Sequence, residues 1–393
     1  MTVNVDEGRR KIHWARDHMP VQRVTSARFR DEQPLAGHRI GMSLHLEAKT
    51  ASLAMTLAEG GAVLYVIESN PLATQDDVAA ALAEVDGITV NARRGVSKEE
   101  HRRHIDALLE TDPTLIVEDG GEVIARICER GMDRSLSLVG LSEETTTGVE
   151  QLAALDADGR LSIPAIAVNS ARMKYLLDNR YGTGQSTWEA VMRATNLLVA
   201  GKAVVIVGYG WCGKGLASRA RGLGARVIVC EIDEIKAIEA VLEGFAVAPL
   251  ERALPGADIV LTATGRSGVI AEKELGLIKD GALLANAGHF GFEIDRTALE
   301  KAAIRSEEAR AGVSAYAFAD GRTVYLLGRG ELVNLSVGDG HPVEIMDISF
   351  GLQALSLEHL ALHHATLAAG VHPVPDAVER AVARVVLSTL GSW

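Results

Sequence analysis

The sequence has 393 residues, 47% of them hydrophobic, which is too long for one compact core, suits two or three domains and excludes disorder. A net charge of −12 with no long basic stretch excludes a nucleic-acid or acidic-membrane binder. Three cysteines, Cys128, Cys212 and Cys230, without a CxxC pair, point to a reducing compartment and against a zinc or other metal site.

Residues 1–7 are polar and acidic, unlike a signal peptide. No apolar run reaches the ~18 residues needed to span a membrane, so a cytoplasmic protein is expected. The short basic clusters Arg9-Arg10-Lys11 and His101-Arg102-Arg103-His104 read as solvated helix faces. A helical pattern over 51–59 leads into a strand over 62–67. Further strands are expected over 114–117, followed by Glu118-Asp119-Gly120-Gly121, and over 165–168, ending at Asn169. Such alternation implies βαβ units in a parallel sheet, where ligands sit at the carboxyl ends of strands. Asp119 and Asn169 are therefore candidate functional residues.

Ser142-Glu143-Glu144-Thr145-Thr146-Thr147-Gly148 puts two acids and three hydroxyls in one loop, either as a helix cap or as ligand contacts. Lys174 and Asp178 are four apart and share a face on a helix, as a surface ion pair or as part of a site. Tyr181-Gly182-Thr183-Gly184 reads as a flexible link, a possible hinge. Beyond it come a helix over 188–200 and strands over 202–207, 226–229, 258–262 and 282–285, with a return hairpin including 323–327. Asn286-Ala287-Gly288-His289-Phe290 follows a strand, so His289 is a structural or a functional histidine. From about Pro342 the pattern is mainly helical and is expected to pack back on the first block.

Val207-Gly208-Tyr209-Gly210-Trp211-Cys212-Gly213 is a GxGxxG between a strand and a helix. Gly208 allows the tight turn, Gly210 lets backbone approach a pyrophosphate, and Gly213 lets helix pack on strand. The helix N-terminus offers N–H groups and partial positive charge to the phosphates. The next strand ends in Glu231, 23 residues beyond Gly208, placed to accept hydrogen bonds from a ribose and to repel a 2′-phosphate. That favours NAD over NADP. Cys212 reads as a space-filler.

Together these segments resemble the S-adenosylhomocysteine hydrolase family, from about Ser43 to Leu357. The resemblance is carried by Leu44-His45-Leu46-Glu47-Ala48-Lys49-Thr50, by 71–77, Glu118–Gly121, Ser142–Gly148 and Lys174–Gly184, by the loop from Gly208 to Gly215, and by Glu231-Ile232-Asp233, Gly288-His289-Phe290 and Gly340-His341-Pro342. The forms LHLEAKT and YGTGQST are similar to the shorter subfamily of archaea and some thermophilic bacteria, which lacks a long C-terminal tail. The resemblance implies an α/β fold of two parallel-sheet, Rossmann-like domains with a cleft between them and a small helical C-terminal segment. Residues 1–181, completed by about 343–373, would bind substrate, 182–342 would bind NAD, and 374–393 would form the C-terminal segment.

It further implies tightly bound, recycled NAD, a purine nucleoside or its thioether as substrate, and a homo-oligomer, a tetramer in the family. The nucleoside 3′-hydroxyl is transiently oxidised, the C4′ proton is removed, and the 5′ group leaves by β-elimination. By the same resemblance Lys174 and Asp178 would handle the 3′-hydroxyl proton; a lysine beside a cationic ring can act as a base near neutral pH. Asp119 and His45 would serve proton transfer at C4′ and C5′, and Glu144 would bind ribose hydroxyls. Asn179 would lie between substrate and nicotinamide, and His289 with Phe290 would form a gate on the 5′ side. Thr145, Thr146, Thr147, Thr264, Gly265, Ala287, Gly288 and Asn334 would contact NAD beside Gly208, Gly210, Trp211, Gly213 and Glu231. His341, Met346 and Phe350 would frame the purine, His341 also reaching the cofactor. Glu47, Lys49 and Thr50 lie in the segment that faces the base.

Several positions depart from the family pattern. An acid expected after the gate is Gly291, and Ser170-Ala171, Val343 and Leu352 replace more polar forms. These changes leave the hydride step intact but bear on the 5′ side. Two further readings therefore stand beside hydrolysis of S-adenosylhomocysteine. One is a paralogous dehydratase that eliminates water from a free adenine nucleoside, giving an exocyclic enol ether. The other is a non-catalytic, NAD-binding regulatory relative.

Overall fold

The computed structural model describes residues 3–131, 136–288 and 291–391. The chain divides into two units, one of Met1–Tyr175 with Val343–Trp393, the other of Leu176–Pro342. Among the described residues the strands are β1 (Arg39–Leu44), β2 (Val63–Glu68), β3 (Ile88–Val90), β4 (Leu115–Glu118), β5 (Gly140–Glu143) and β6 (Pro164–Ala167). Next come β7 (Ala203–Val207), β8 (Arg226–Cys230), β9 (Ala246–Val247), β10 (Ile259–Thr262) and β11 (Leu283–Asn286). The last are β12 (Ala303–Arg310), β13 (Val313–Phe318), β14 (Thr323–Leu327) and β15 (Gly370–Pro373).

In the first unit the sheet order is β15-β6-β5-β4-β1-β2-β3, parallel throughout. Its central strands are covered on both faces, which is why they read as unbroken apolar runs. Ile116, Leu141 and Ala165 join Leu108, Ile124 and Leu152 in one core cluster. The helix Val343–His363 belongs to this unit and packs on β5 and on the helices Pro20–Glu32 and Ala48–Glu59. Its buried Asp347 accepts hydrogen bonds from Val21 N (2.8 Å) and Gln22 N (2.9 Å), satisfying free amides at the start of the helix Pro20–Glu32. Burial pushes that carboxyl up to about 6 despite the two amides. The helix Asp376–Thr389 also lies in this unit, and its Glu379 accepts from Met173 N at 2.8 Å.

The second unit has the order β12-β13-β14-β11-β10-β7-β8-β9. From β14 to β9 the neighbours are parallel, whereas β12, β13 and β14 form an antiparallel meander that includes the expected return hairpin. β7 lies between β8 and β10, so the turn after it opens where the strand order reverses. That is where doubly wound sheets bind ligands.

The stretch expected as a flexible link is helical. Tyr175–Gly182 forms π-helical turns that run into the helix Thr183–Thr195. Its Gly184 serves packing against Gly215. A Cβ at Gly184 would stand 2.8 Å from the Gly215 backbone, and one at Gly215 would stand 1.8 Å from Arg180 O. Trp188 Nε1 donates to Leu216 O at 3.0 Å across the same contact.

Candidate active site

In the first unit five polar residues stand just past the carboxyl ends of neighbouring strands. These are His45 after β1, Ser69 after β2, Asp119 after β4, Glu144 after β5 and Asn169 after β6. Parallel register aligns them: Ser43 is opposite Glu118, Glu118 opposite Glu143, and Leu44 opposite Glu68. His45 Nε2 lies 3.2 Å from Asp119 Oδ2, and His45 Nδ1 lies 3.3 Å from Ser69 Oγ. Either ring nitrogen can thus hold or release a proton against a fixed partner.

Glu144 and Lys174 are both buried, with Lys174 Nζ 3.3 Å from Glu144 Oε1. Glu144 Oε2 accepts from Gln353 Nε2 at 2.6 Å. The Lys174 and Asp178 side chains are 6% and 4% exposed, so the surface ion-pair reading is excluded. The division between units falls between these two residues. Ser142 and Glu143 lie in β5, and Thr145 precedes the helix Thr146–Ala157 without a side-chain capping bond, so this segment is not a conventional helix cap. Thr146 Oγ1 accepts from Asn169 Nδ2 at 2.9 Å, and Thr147 Oγ1 is buried without a partner among the described residues.

Glu47 caps the helix Ala48–Glu59 by accepting from Lys49 N at 2.9 Å. The same carboxylate oxygen stands 3.0 Å from Lys49 Nζ, and both residues are buried. Thr50 Oγ1 donates to His45 O at 2.6 Å, tying this helix start to the β1 terminus. Met346 and Phe350 lie on the helix Val343–His363, with Phe350 in the core.

A set of buried carboxyls that the sequence did not single out supports these residues from behind. Glu143 Oε1 accepts from Gly120 N and Thr145 N, both at 2.9 Å, joining the loop of Asp119 to the loop of Glu144. Gly148 makes room for it, since a Cβ there would stand 2.1 Å from Glu143 Cδ. Burial, then the charges of Glu118 and Asp119, push the Glu143 carboxyl well above the usual range. Glu118 accepts from Val123 N at 2.8 Å, and burial drives its carboxyl up to about 8 against the pull of its two amide donors. The basic cluster 101–104 also departs from expectation. Arg102 and Arg103 are exposed, but His101 Nδ1 and His104 Nδ1 each lie 2.9 Å from the fully buried Glu68, and His101 Nε2 lies 2.7 Å from Glu122. Burial pulls the His101 imidazole down, but Glu122 and Glu68 outweigh it and raise it to about 9.

In the second unit Gly208 has φ +95°, and a Cβ on Gly213 would stand 2.0 Å from Gly208 O. A Cβ on Gly210 would meet nothing within 4 Å. The helix Trp211–Gly222 begins there, and Trp211 is covered by Lys214 Nζ at 4.4 Å from its ring centre. Glu231 Oε2 accepts from Tyr209 N at 2.6 Å, so the acid braces the glycine loop as well as ending β8. Glu293, fully buried, accepts from Thr264 N and Oγ1 and from Gly265 N, all within 2.8–3.1 Å. Gly288 lets it pass, since a Cβ there would stand 1.7 Å from Glu293 Oε1. Ala287 is buried beside it in chain order. Asp178 Oδ1 lies 3.3 Å from His341 Nδ1, and His341 Nε2 lies 3.2 Å from Thr183 Oγ1. Asn179 sits in the π-helical turns next to Asp178. Asn334 Nδ2 donates to Ser186 Oγ at 3.0 Å, while its Oδ1 is buried without a partner among the described residues.

His289 and Phe290 lie outside the described residues. Gly291 leaves room for Glu331: a Cβ on Gly291 would stand 2.5 Å from a Glu331 carboxylate oxygen.

Two features fit a nicotinamide dinucleotide. The open side of Gly210 leaves space against backbone, and the unpartnered Asn334 oxygen offers an acceptor to a carboxamide. The parallel sheet, the glycine turn at its strand-order reversal and the acid on the next strand define the second unit as a Rossmann-class dinucleotide-binding domain. The description S-adenosyl-L-homocysteine hydrolase, NAD binding domain, matches residues 179–340, and S-adenosyl-L-homocysteine hydrolase matches residues 2–137. The chain is 52% identical over 386 residues to the S-inosyl-L-homocysteine hydrolase of Methanopyrus kandleri, covering 98% of this chain and 91% of the relative. It is 50% identical over 387 residues to the adenosylhomocysteinase of Thermotoga maritima, covering 98% and 96%. It is 49% identical over 385 residues to that of Archaeoglobus fulgidus, covering 98% and 95%. The chain belongs to the S-adenosyl-L-homocysteine hydrolase family, and NAD is its cofactor. No described helix is long and apolar enough to cross a membrane.

Proposed function

We propose that this protein hydrolyses S-adenosyl-L-homocysteine to adenosine and homocysteine. The observation that carries the reading is the buried Lys174–Glu144 pair on the same strand-end edge as the His45–Asp119 pair. One pair suits the sugar hydroxyls and the other suits the neighbouring carbon-bound proton.

When bound, NAD supplies the transient oxidation of the sugar's 3′ carbon and its later reversal. Gly208, Gly210, Gly213 and the helix start at Trp211 would hold its phosphates, Glu231 its adenosine ribose, and Thr264, Gly265, Gly288 and Asn334 its nicotinamide half. Glu144 accepts hydrogen bonds from ribose hydroxyls and fixes the ring. Lys174 takes the 3′-hydroxyl proton. A ketone at C3′ makes the C4′ hydrogen acidic, and Asp119 removes it. His45 gives a proton to the departing sulfur and then takes one from the water that adds at C5′. As water adds, Asp119 returns its proton to C4′, Lys174 later returns its own to the 3′ oxygen, and His45 is restored by the proton it takes from water.

The Glu47–Lys49 pair supports a second reading of the base. Its carboxylate can accept from an exocyclic amine, and its ammonium can donate to an exocyclic carbonyl. An inosine-containing thioether, the substrate class in the Methanopyrus kandleri relative's name, is therefore the second candidate. The named relatives are hydrolases, which favours hydrolysis over elimination of water from a free nucleoside.

The test is incubation of the holoenzyme with S-adenosyl-L-homocysteine, its inosyl counterpart and free adenosine, with products read by mass spectrometry. Homocysteine release is expected. Loss of one water from adenosine with no thioether turnover would overturn the proposal.

A further inference from the structure

We infer that Gln353 is the positioning residue of Glu144: its amide holds one carboxylate oxygen so that the other is presented to Lys174. The inference rests on the proposed role of Glu144 in binding the ribose.

Three observations carry it. Gln353 is fully buried, in the middle of the helix Val343–His363, where an apolar residue would fill the same space without a polar group to satisfy. Its Nε2 reaches Glu144 Oε2 at 2.6 Å, while Lys174 Nζ reaches Oε1 at 3.3 Å, so each carboxylate oxygen has its own donor. Its Oε1 is buried without a hydrogen-bond partner among the described residues. An amide that leaves its carbonyl unpaired in a core costs stability, and such a cost is retained where the donor end has work to do.

The amide orientation follows from charge. Turned over, Gln353 would aim its carbonyl at a carboxylate. The observed orientation stabilises the ionised form of Glu144, the form that accepts sugar hydroxyls and pairs with Lys174. The titratable groups around Glu144 are Lys174, which faces its other oxygen, and Glu118, Asp119 and Glu143 at the same strand ends; the donor at Oε2 is the neutral Gln353 amide. Phe350 lies three residues earlier, on the same helical face, so one helix would present both a ring surface and the donor that fixes Glu144.

The experiment compares the wild-type holoenzyme with Gln353→Met, Gln353→Glu and Glu144→Gln. Adenosine affinity is measured by calorimetry, and kcat and KM for S-adenosyl-L-homocysteine are measured across pH. Gln353→Met keeps the volume and removes the donor. It should weaken adenosine binding and kcat/KM by roughly 10–100-fold, the scale of one charge-assisted hydrogen bond. In Gln353→Glu the introduced carboxyl donates only while protonated, so activity should approach wild type at the acid end and fall steeply as pH rises. A purely space-filling Gln353 would leave that pH profile unchanged. Wild-type affinity and pH profile in both variants would overturn the inference. Unchanged adenosine binding in Glu144→Gln would instead overturn the ribose role of Glu144. If Gln353→Met does not fold, the pH profile of Gln353→Glu decides. A urea double-mutant cycle between Gln353→Glu and Glu144→Gln reads the pairing without turnover, and additive effects would overturn it.

Discussion

Lys174 Nζ lies 3.3 Å from Glu144 Oε1, with both side chains more than nine-tenths buried. A buried pair of this kind is sensitive to losing one member, because the survivor is left as an uncompensated charge. Lys174→Ala should therefore abolish the transient NADH absorbance seen when the holoenzyme meets adenosine. It should also lower stability by about 3–5 kcal/mol. Lys174→Arg keeps the charge but not the proton-taking ability, so it should fold with a smaller loss and still show no transient NADH. Persistence of that absorbance in either variant would remove Lys174 from the reaction.

The His101 ring, between Glu68 and Glu122, gives stability a definite pH dependence. Its folded value of about 9 lies above the ordinary value of about 6.5, so the folded state holds the proton more tightly than the unfolded chain does. That contribution is fully present below about pH 6.5 and fades as pH rises through about 9. The shift corresponds to roughly 3 kcal/mol. In His101→Gln the urea midpoint should lose this decline between those limits. A parallel pH trend in wild type and variant would show that the ring does not hold its proton there.

Glu118 has the opposite chemistry and the same sign. A carboxyl raised to about 8 by burial is neutral when folded and ionised when unfolded around pH 6–7. Its stabilisation is present below the ordinary carboxylate range, near 4.5, and is lost as pH rises toward 8. Glu118→Gln mimics the neutral acid, so its stability relative to wild type should rise over that window. Thermal midpoints at pH 5 and pH 8 check this, and a constant difference would contradict it.

The strands were legible because buried parallel strands are nearly uninterrupted apolar runs. The run at 323–327 is β14, and 226–229 is β8 short of Cys230. The helix expected over 188–200 stops at Thr195, because Asn196 takes a left-handed conformation with φ +55°. Asp119 and Asn169 were legible through one rule, that polar residues just past parallel strands face ligands, whereas His45 and Glu144 were legible only through the family resemblance, because the short strands before them were not read. What was hidden depends on partners far along the chain. His101 looked solvated because Glu68 is 33 residues away, and Gln353 lies 209 residues from Glu144. Gly182-Thr183-Gly184 looked flexible because sequence does not distinguish a glycine that bends from one that lets two helices touch. The supporting carboxyl Glu143 sat within a segment already noted and Glu293 just beyond one, but only burial and hydrogen bonding show that they brace loops.

The glycine loop allows fold and cofactor binding to be separated. Gly210 has φ −70°, open to any residue, and an added Cβ there meets nothing within 4 Å. Gly213 faces Gly208 O, and an added Cβ would stand 2.0 Å from it. Gly210→Ala should leave the thermal midpoint of the NAD-free protein unchanged within about 0.5 kcal/mol. It should weaken NAD by roughly 10-fold or more, since the methyl occupies the side open to the pyrophosphate. Gly213→Ala should lower the NAD-free stability by about 1–3 kcal/mol, because backbone must move to admit the methyl. Calorimetric NAD titration beside urea unfolding measures both. Equal stability loss in the two variants would mean that Gly210 is a packing glycine like Gly213. Unchanged NAD affinity in Gly210→Ala would place the pyrophosphate elsewhere.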